Sequence, residues 1–243
     1  MYPFDPASSE NVLQFDGPAV LGHERVHDFQ PASAFGVRGR TSTVARQVSL
    51  PRREARSLRS YSALMINGLL QTEEYAHEII RVGLMQFAPP PEVERRVEVR
   101  TTRQSLLHDR VPEPLRIWSV IDEAVLRRNI GPPGIMAAQC DHLLDLSQRP
   151  NVMIQVLPFE AGAHPSLTGA FTHMDFPEPH MPDIVYLDGL TGALYVEDET
   201  QVHTYSLAFN QLAMTALGVD ESLAMISDLA EQHRKRHIGV NEH

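Results

Sequence analysis

Two short patterns that combine a tyrosine with an acid lie close together in the stretch DIVYLDGLTGALYVEDE, residues 183–199. Tyr186 is followed two residues later by Asp188, and Tyr195 is followed two residues later by Glu197. Tyrosines supply contact area for a ligand, and carboxylates bind cations or hydroxyls or move protons. The intervening GLTG has the composition of a turn. Because side chains alternate along a strand, the spacing predicts a hairpin that carries all four side chains on one face.

The simplest hairpin register places Tyr186 opposite Tyr195 and Asp188 opposite Ala193. A second face is then wholly apolar and opposes a slip of one residue; it consists of Val185, Leu187, Leu194 and Val196. Two interpretations stay open at this point. The polar face is the solvated side of a half-buried sheet, where cross-strand aromatic pairs are common, or it is the wall of a ligand pocket.

A long connection marked by Gly and Pro, PFEAGAHPSLTGAF, precedes the hairpin and carries His164 near its middle. Such connections often carry functional residues. His164 is an acid–base candidate with Asp188 or Glu197 as its partner, and these three residues are the catalytic candidates if the protein is an enzyme. A structural histidine that ties down the loop is the alternative.

Aromatic residues on neighbouring strand candidates complete the predicted ligand-binding set. Trp118 lies in RIWSVIDEAVL and is a candidate apolar wall, and Phe171 lies in AFTHMDF. Together with Tyr186 and Tyr195 they are the ligand-binding candidates.

Signatures of metal or cofactor chemistry are missing from the sequence. Two pairs of histidines have the spacing of ligands on one helical turn, but neither has an evident third ligand, and zinc sites use three or four protein ligands; the pairs are His23 with His27 and His233 with His237. No phosphate-binding glycine loop and no nucleophile motif is present. We therefore expect no metal and no cofactor. Cys140 lies on the apolar side of its predicted helix, which favours a buried, inert thiol.

The elements that must position these residues follow from periodicity and capping signals. RREARSLRSYSALMINGLLQ is predicted to form a helix that bends at Asn67-Gly68, and Thr72 is predicted to cap the next helix, EEYAHEIIRVGL. Further helices are predicted for PPEVERRVEVRTTRQSLL and GIMAAQCDHLLDLSQ, with a strand and a short helix in RIWSVIDEAVL between them. Four strands follow, NVMIQVLPF, AFTHMDF, DIVYLDG and GALYVED, and two helices close the chain.

This order predicts an α+β fold in which helices flank a mostly antiparallel sheet of about five strands. Residues 1–45 are rich in Pro, Ser and Gly and are predicted to form a mostly disordered or extended arm. Residues 46–243 are predicted to form a single α+β domain.

Composition narrows the range of partners. Hydrophobic residues make up 42% of the chain and charged residues 21%, and the formal net charge is −10. This charge argues against direct nucleic-acid binding and against an anionic membrane surface. No apolar run reaches membrane-spanning length and no signal peptide is recognisable, so we expect a cytoplasmic protein.

From about Arg56 to the last helix, the sequence resembles the C-terminal effector domain of antitoxin-like, XRE-type transcriptional regulators of actinobacteria. The segments that carry the resemblance are LRSYSALMINGLLQTEEYA, RIWSVIDEAVLRR, RPNVMIQVLPFEAGAHPSLTGAFTHMDF and DIVYLDGLTGALYVEDE. Members usually begin with a helix-turn-helix bundle, which residues 1–45 do not resemble. Asn67-Gly68 replaces a typical proline, and Asp188-Gly189 replaces a common acid–Thr pair.

The resemblance implies an effector module that binds a small molecule or a protein partner, with the DNA-binding function carried by that partner; a homodimer is left open. The alternative is a cofactor-free acid–base enzyme of specialised metabolism, of a cyclase or isomerase type, on the same scaffold. A third reading is a purely structural partner of a regulator.

Overall fold

The computed structural model describes residues 54–84, 89–132, 134–177, 181–189 and 192–240. The predicted arm, residues 1–45, lies outside the described residues. The strands are β1 Ser57–Ser62, β2 Arg116–Asp122, β3 Val152–Leu157, β4 Phe171–Asp175, β5 Ile184–Gly189 and β6 Gly192–Val196. The helices are α1 Glu73–Gly83, α2 Pro90–Thr102, α3 Glu123–Arg127, α4 Ile135–Ser147, α5 Glu199–Thr215 and α6 Val219–Val240. Short 3-10 turns span Gly68–Leu70, Arg103–Leu107 and Phe159–Ala161.

The described strands form one mixed sheet in the order β3-β2-β1-β4-β5-β6. β1, β2 and β3 are parallel to one another, whereas β4, β5 and β6 join by antiparallel pairing. The predicted α+β class is confirmed. The sheet has six described strands rather than about five, because β1 was not predicted as a strand.

The segment around β1 is the one element whose predicted type is wrong. Its arginines and leucines suggested a helix, but Ser57–Ser62 forms a strand between β2 and β4, with partners on both sides. Leu58 is buried in the core on one side of the sheet and Tyr61 in the core on the other side. Pairing with two neighbours and burial on both faces outweigh the local helical pattern.

The other predicted elements are found in the structure. Thr72 caps α1, since its hydroxyl accepts a hydrogen bond from the backbone N–H of Tyr75 at 3.2 Å. β2 leads directly into the short helix α3. On α4, Met136, Cys140 and Leu143 are buried, in agreement with the predicted apolar face.

Helices cover the two faces of the sheet unequally. The larger core combines β1–β3 with the helices α4 and α6 and contains Leu58, Ile117, Ile154, Leu143 and Ile226. The smaller core lies between the sheet and α5. Its aromatic and aliphatic side chains include Tyr61, Val120, Leu157, Phe171 and Phe209. The polar network described below lies at one end of this smaller core.

Candidate functional site

The β5–β6 hairpin has the predicted register. Tyr186 pairs with Tyr195, Leu187 with Leu194 and Asp188 with Ala193. The two tyrosine rings lie 5.4 Å apart between centroids, which is a cross-strand aromatic contact. The pattern in the sequence therefore determined both the hairpin and its pairing.

The environment of this hairpin is that of a sheet face rather than of an enclosed site. Tyr186 is only 9% exposed and packs in the larger core, with Tyr195 partly buried beside it. Asp188 and Glu197 are both exposed to solvent. Asp188 is near the end of β5, next to the turn of the hairpin. Glu197 follows the end of β6, which lies beside the start of β5, so the two acids lie at opposite ends of the hairpin.

His164 contacts Tyr61 rather than either predicted partner. Its Nε2 lies 3.3 Å from the hydroxyl oxygen of Tyr61, and that hydroxyl donates to Asp122 Oδ2 at 3.0 Å. Asp188, by alternation along β5, lies on the larger-core side of the sheet, opposite Tyr61. The expected partnership of His164 with Asp188 or Glu197 is thus replaced by one with Tyr61 and Asp122.

The three side chains meet at the edge of the sheet where β1, β2 and β3 end, which we call the carboxyl edge. Tyr61 is the second-last residue of β1, and Asp122 is the last residue of β2. His164 is on the connection from β3 to β4, which crosses this edge. In α/β sheets the carboxyl ends of parallel strands are the usual position of ligand sites.

The hydrogen bonds determine which atoms carry protons. Burial and the Asp122 carboxylate raise the pKa of Tyr61 above its usual range, so the hydroxyl keeps its proton and donates it to Asp122. A hydroxyl has one proton, so its oxygen must accept from His164 Nε2–H. In the neutral ring, Nδ1 is then an acceptor. Nδ1 is buried, and no group among the described residues hydrogen-bonds to it.

Asp122 is held in place by the helix that follows it. Its Oδ1 accepts from the backbone N–H of Ala124 at 2.9 Å, which makes Asp122 the N-cap of α3. The other oxygen, Oδ2, is the one that accepts from Tyr61. One carboxylate therefore stabilises a helix terminus and fixes the orientation of the tyrosine hydroxyl.

The connection that carries His164 is anchored to α3 at its start and has a turn within it near its end. The backbone N–H of Phe159 donates to Glu123 Oε2 at 2.8 Å, and the Ser166 hydroxyl donates to the carbonyl of Gly169 at 2.6 Å. Gly162 and Gly169 have φ values of 65° and 147°, which side-chain-bearing residues rarely adopt. These glycines bound the segment 163–168, so its backbone path depends on them.

Apolar residues lie beside Tyr61 and on the connection that carries His164. The ring of Phe171 lies 6.4 Å from that of Tyr61 and 5.1 Å from that of Tyr205. Phe159 and Leu167, on the same connection as His164, are 56% and 69% exposed. The candidate ligand residue Phe171 is therefore a buried neighbour of Tyr61, and the exposed apolar side chains are those of the connection itself.

Trp118 has a different neighbourhood. Its Nε1–H donates to Gln155 Oε1 at 2.7 Å, and its ring packs edge-on against Phe209 of α5 at 5.3 Å. Gln155 in turn donates to the carbonyls of Ala213 and Leu217 at the end of α5. These contacts assign Trp118 to the packing of α5 on the sheet.

A second polar network lies on the same face of the sheet, farther from the carboxyl edge. Arg59 donates to Ser206 Oγ and to His173 Nδ1, both at 3.1 Å. Because an arginine can only donate, His173 carries its proton on Nε2, which lies 3.4 Å from Asp183 Oδ2. Burial and the charge of Arg59 lower the pKa of His173 to about 4, so this ring is neutral at physiological pH. The network joins β1, β4 and α5.

A groove between α1 and α2 contains none of these residues. It is open to solvent, and its lining residues include Glu73, Glu94 and Arg95. Glu94 lies 3.5 Å from His77, and Arg95 pairs with Glu92 at 2.8 Å. Its charged groups thus form surface ion pairs of the kind that contribute little.

No cluster of three His, Cys, Asp or Glu side chains placed to hold a metal ion occurs among the described residues. Of the histidines with metal-ligand spacing, His23 and His27 lie outside the described residues. His233 is buried and its Nε2 donates to the carbonyl of Leu126 at 2.8 Å. Nor does any helix in the described part of the chain have the length and apolarity needed to cross a membrane.

Sequence reasoning identified His164 but not its partners. Tyr61 was missed because it lies in the segment predicted as a helix. Asp122 could have been predicted from the sequence. It is the acid between the strand and the short helix in RIWSVIDEAVL, and an acid at such a junction is both a candidate N-cap and a carboxyl-edge residue.

A model of a family described as a domain of unknown function (DUF5753) matches residues 48–228. Neither the curated proteins nor the solved structures contain a match to this chain. The matched segment includes all three residues of the network at the carboxyl edge.

Proposed function

Because the chain belongs to this family of unknown function, we propose a function from the site itself: an effector module that binds a small molecule at the carboxyl edge. The observation that carries the proposal is the network of Tyr61, Asp122 and His164 with a buried acceptor, His164 Nδ1, that has no partner among the described residues. Buried polar atoms are normally paired, so an unpaired one at the carboxyl ends of parallel strands supports a place for a missing group.

The proposal extends to the biological role. The resemblance of the sequence to effector domains of XRE-type regulators of actinobacteria supports a role in transcription, exerted through a protein partner that binds DNA. The net charge of −10 is consistent with such an indirect role, because direct contact with phosphates requires a basic surface.

An acid–base enzyme is the second candidate, and the same contacts favour it. A tyrosine hydroxyl that contacts both a histidine and a carboxylate belongs to the groups that transfer protons in cofactor-free reactions. In this case Tyr61 is a proton donor rather than a base, because its pKa is raised. In this second candidate, Tyr61 and Asp122 take the place of Asp188 and Glu197 as the groups that act with His164.

The experiment is native mass spectrometry of the protein after incubation with a small-molecule extract of the source cells, with the extract profiled before and after. Four variants accompany the wild type. Tyr61→Phe and Asp122→Asn test the carboxyl edge, Asp188→Asn tests the hairpin, and Asp228→Asn is a control on the exposed side of α6.

We expect a compound retained at unchanged mass by the wild type, Asp188→Asn and Asp228→Asn, and lost from the two carboxyl-edge variants. A compound that is consumed and replaced by a product would support the enzyme instead, provided that the reaction is likewise lost only in the two carboxyl-edge variants. Loss confined to Asp188→Asn would move the site to the hairpin. If no compound is retained or consumed, the proposal of a small-molecule site is wrong.

A further inference from the structure

We infer that the ligand of the carboxyl edge presents a hydrogen-bond donor, a hydroxyl or an N–H group, next to an apolar ring or chain. This inference rests on the proposed function, whose ligand it assigns to a chemical class. It follows from the balance of donors and acceptors among Tyr61, Asp122 and His164 and from the exposed apolar residues on the connection that carries His164.

The balance of the network leaves acceptors and no free donor. The single hydroxyl proton of Tyr61 goes to Asp122, and with one proton on the His164 ring that proton is on Nε2 and goes to Tyr61. What remains is His164 Nδ1, which only accepts in this tautomer and is buried without a partner among the described residues. A ligand carboxylate or phosphate would bring further lone pairs and negative charge to these atoms. A hydroxyl or N–H supplies the proton that they lack.

The apolar part of the ligand class follows from the connection between β3 and β4. Phe159 and Leu167 expose most of their side chains on this connection, close in sequence to His164. An apolar ring or chain that covers them gains roughly 25 cal/mol for each Å² of apolar surface removed from water. The donor group alone would exchange one hydrogen bond with water for another, so the apolar contacts supply affinity and Nδ1 supplies specificity.

The buried position of Nδ1 requires that the segment 163–168 move when a ligand enters. Gly162 and Gly169 bound this segment, and a Cβ at either position would meet nothing within 4 Å. The polar side-chain contacts that the structure gives for the segment are His164 with Tyr61 and Ser166 with Gly169. The Ser166–Gly169 hydrogen bond lies within the connection, so the segment can open around His164 Nδ1 while Nε2 keeps its contact with Tyr61.

The test uses matched pairs of small aromatic probes that differ only in the donor. Phenol and anisole, indole and 1-methylindole, and 2-naphthol and 2-methoxynaphthalene are titrated against the full chain, with ligand-observed NMR for affinity. The ¹⁵N signal of His164 Nδ1 serves as a direct reporter. We expect the donor member of each pair to bind about fivefold more tightly, the value of one net hydrogen bond. The Nδ1 signal should move only with donor members.

Two substitutions of His164 distinguish the roles of its two ring nitrogens. In His164→Gln the amide nitrogen takes the place of Nε2 and keeps the contact with Tyr61, whereas the group at the Nδ1 position is lost. In His164→Asn the amide oxygen takes the place of Nδ1 and the contact with Tyr61 is lost. The donor preference should disappear in His164→Gln and persist in His164→Asn. Thermal unfolding of both variants shows that each is folded.

The control is His203→Gln, an exposed histidine of α5, which should keep the wild-type preference. Equal affinities within the pairs, a preference unchanged in His164→Gln, or no binding of any probe would overturn the inferred ligand class. The proposed function stands despite any of these results if the wild type retains a compound from the extract and the Tyr61→Phe and Asp122→Asn variants do not. If the wild type retains no compound, the proposed site itself is wrong.

Discussion

At the scale of the residue, the position of one proton decides what the carboxyl edge offers. The Tyr61 hydroxyl is buried beside the Asp122 carboxylate, and both effects raise its pKa. The proton therefore stays on the tyrosine, and the direction of the chain from His164 through Tyr61 to Asp122 is fixed. Asp188 and Glu197 have no comparable environment, because both are exposed to solvent.

Asp122→Asn should lower the pKa of Tyr61. The substitution removes the negative charge that opposes ionisation, while burial of the ring, the larger cause, continues to raise the pKa. The amide oxygen of Asn can still cap α3, so the fold should be retained. Ultraviolet absorbance titration of the tyrosines in Asp122→Asn and in wild type measures the change, and Tyr61→Phe identifies which transition belongs to Tyr61. A Tyr61 pKa that is unchanged or raised would contradict the arrangement.

At the scale of the element, Glu123 joins α3 to the connection that carries His164. Its side chain is 3% exposed; one oxygen accepts from the backbone N–H of Phe159 and the other from Arg127 Nε at 2.5 Å. Charged groups are rarely buried without such partners. Glu123 thus positions the start of the connection 158–170 relative to the carboxyl edge.

Glu123→Ala should destabilise the protein by about 1–3 kcal/mol, because it leaves the Phe159 N–H without its acceptor and removes a buried ion pair. Hydrogen exchange in residues 158–170 should accelerate more than exchange in β2. The matched substitution Glu160→Ala, at an exposed position of the same connection, should change the free energy of unfolding by less than about 0.5 kcal/mol. Equal effects of the two substitutions would show that Glu123 does not anchor the connection.

A second prediction at this scale concerns the burial of β1 in the core. Leu58 lies within β1 and is 1% exposed, whereas Leu64 follows the end of β1 and is 68% exposed. Leu58→Ala should lower the free energy of unfolding by about 2–5 kcal/mol. Leu64→Ala should lower it by less than about 0.5 kcal/mol. Chemical denaturation of both variants measures the difference, and comparable losses would contradict the burial of Leu58.

At the scale of the whole molecule, the network around His173 makes stability depend on pH. His173 is 1% exposed, and its pKa is lowered from 6.5 to about 4 by burial and by Arg59. Between these two values the unfolded chain binds a proton at this residue and the folded protein does not. The contribution of His173 to the free energy of unfolding is therefore complete above pH 6.5 and is lost as the pH falls toward 4.

Between pH 6.5 and pH 4, the titration of His173 should lower the free energy of unfolding by an amount on the order of 3 kcal/mol. We expect the melting temperature of the wild type to fall over this range more steeply than that of His173→Asn, whose amide oxygen can accept from Arg59 but does not titrate. The comparison of slopes is informative even though the substitution itself is destabilising. His203→Gln, at an exposed histidine, should retain the wild-type slope. Parallel curves for wild type and His173→Asn would refute this origin of acid sensitivity.

Features that depend on neighbours along the chain were predictable from the sequence. Alternation and the GLTG turn gave the pairing of Tyr186 with Tyr195, and the cap at Thr72 gave the start of α1. Both are local effects, in which a few consecutive residues contain all the interacting groups. The α+β class followed from the order of such elements.

The place where the polar residues meet depends on contacts between distant parts of the chain. Tyr61, Asp122 and His164 are separated by tens of residues, and they come together because β1 and β2 are parallel neighbours and the connection from β3 to β4 crosses their ends. The strand character of Ser57–Ser62 was likewise invisible locally, since its partners are β2 and β4. Pairing between distant strands and burial on both faces outweigh local propensity, and they separated Asp188 from His164 while bringing Tyr61 to it.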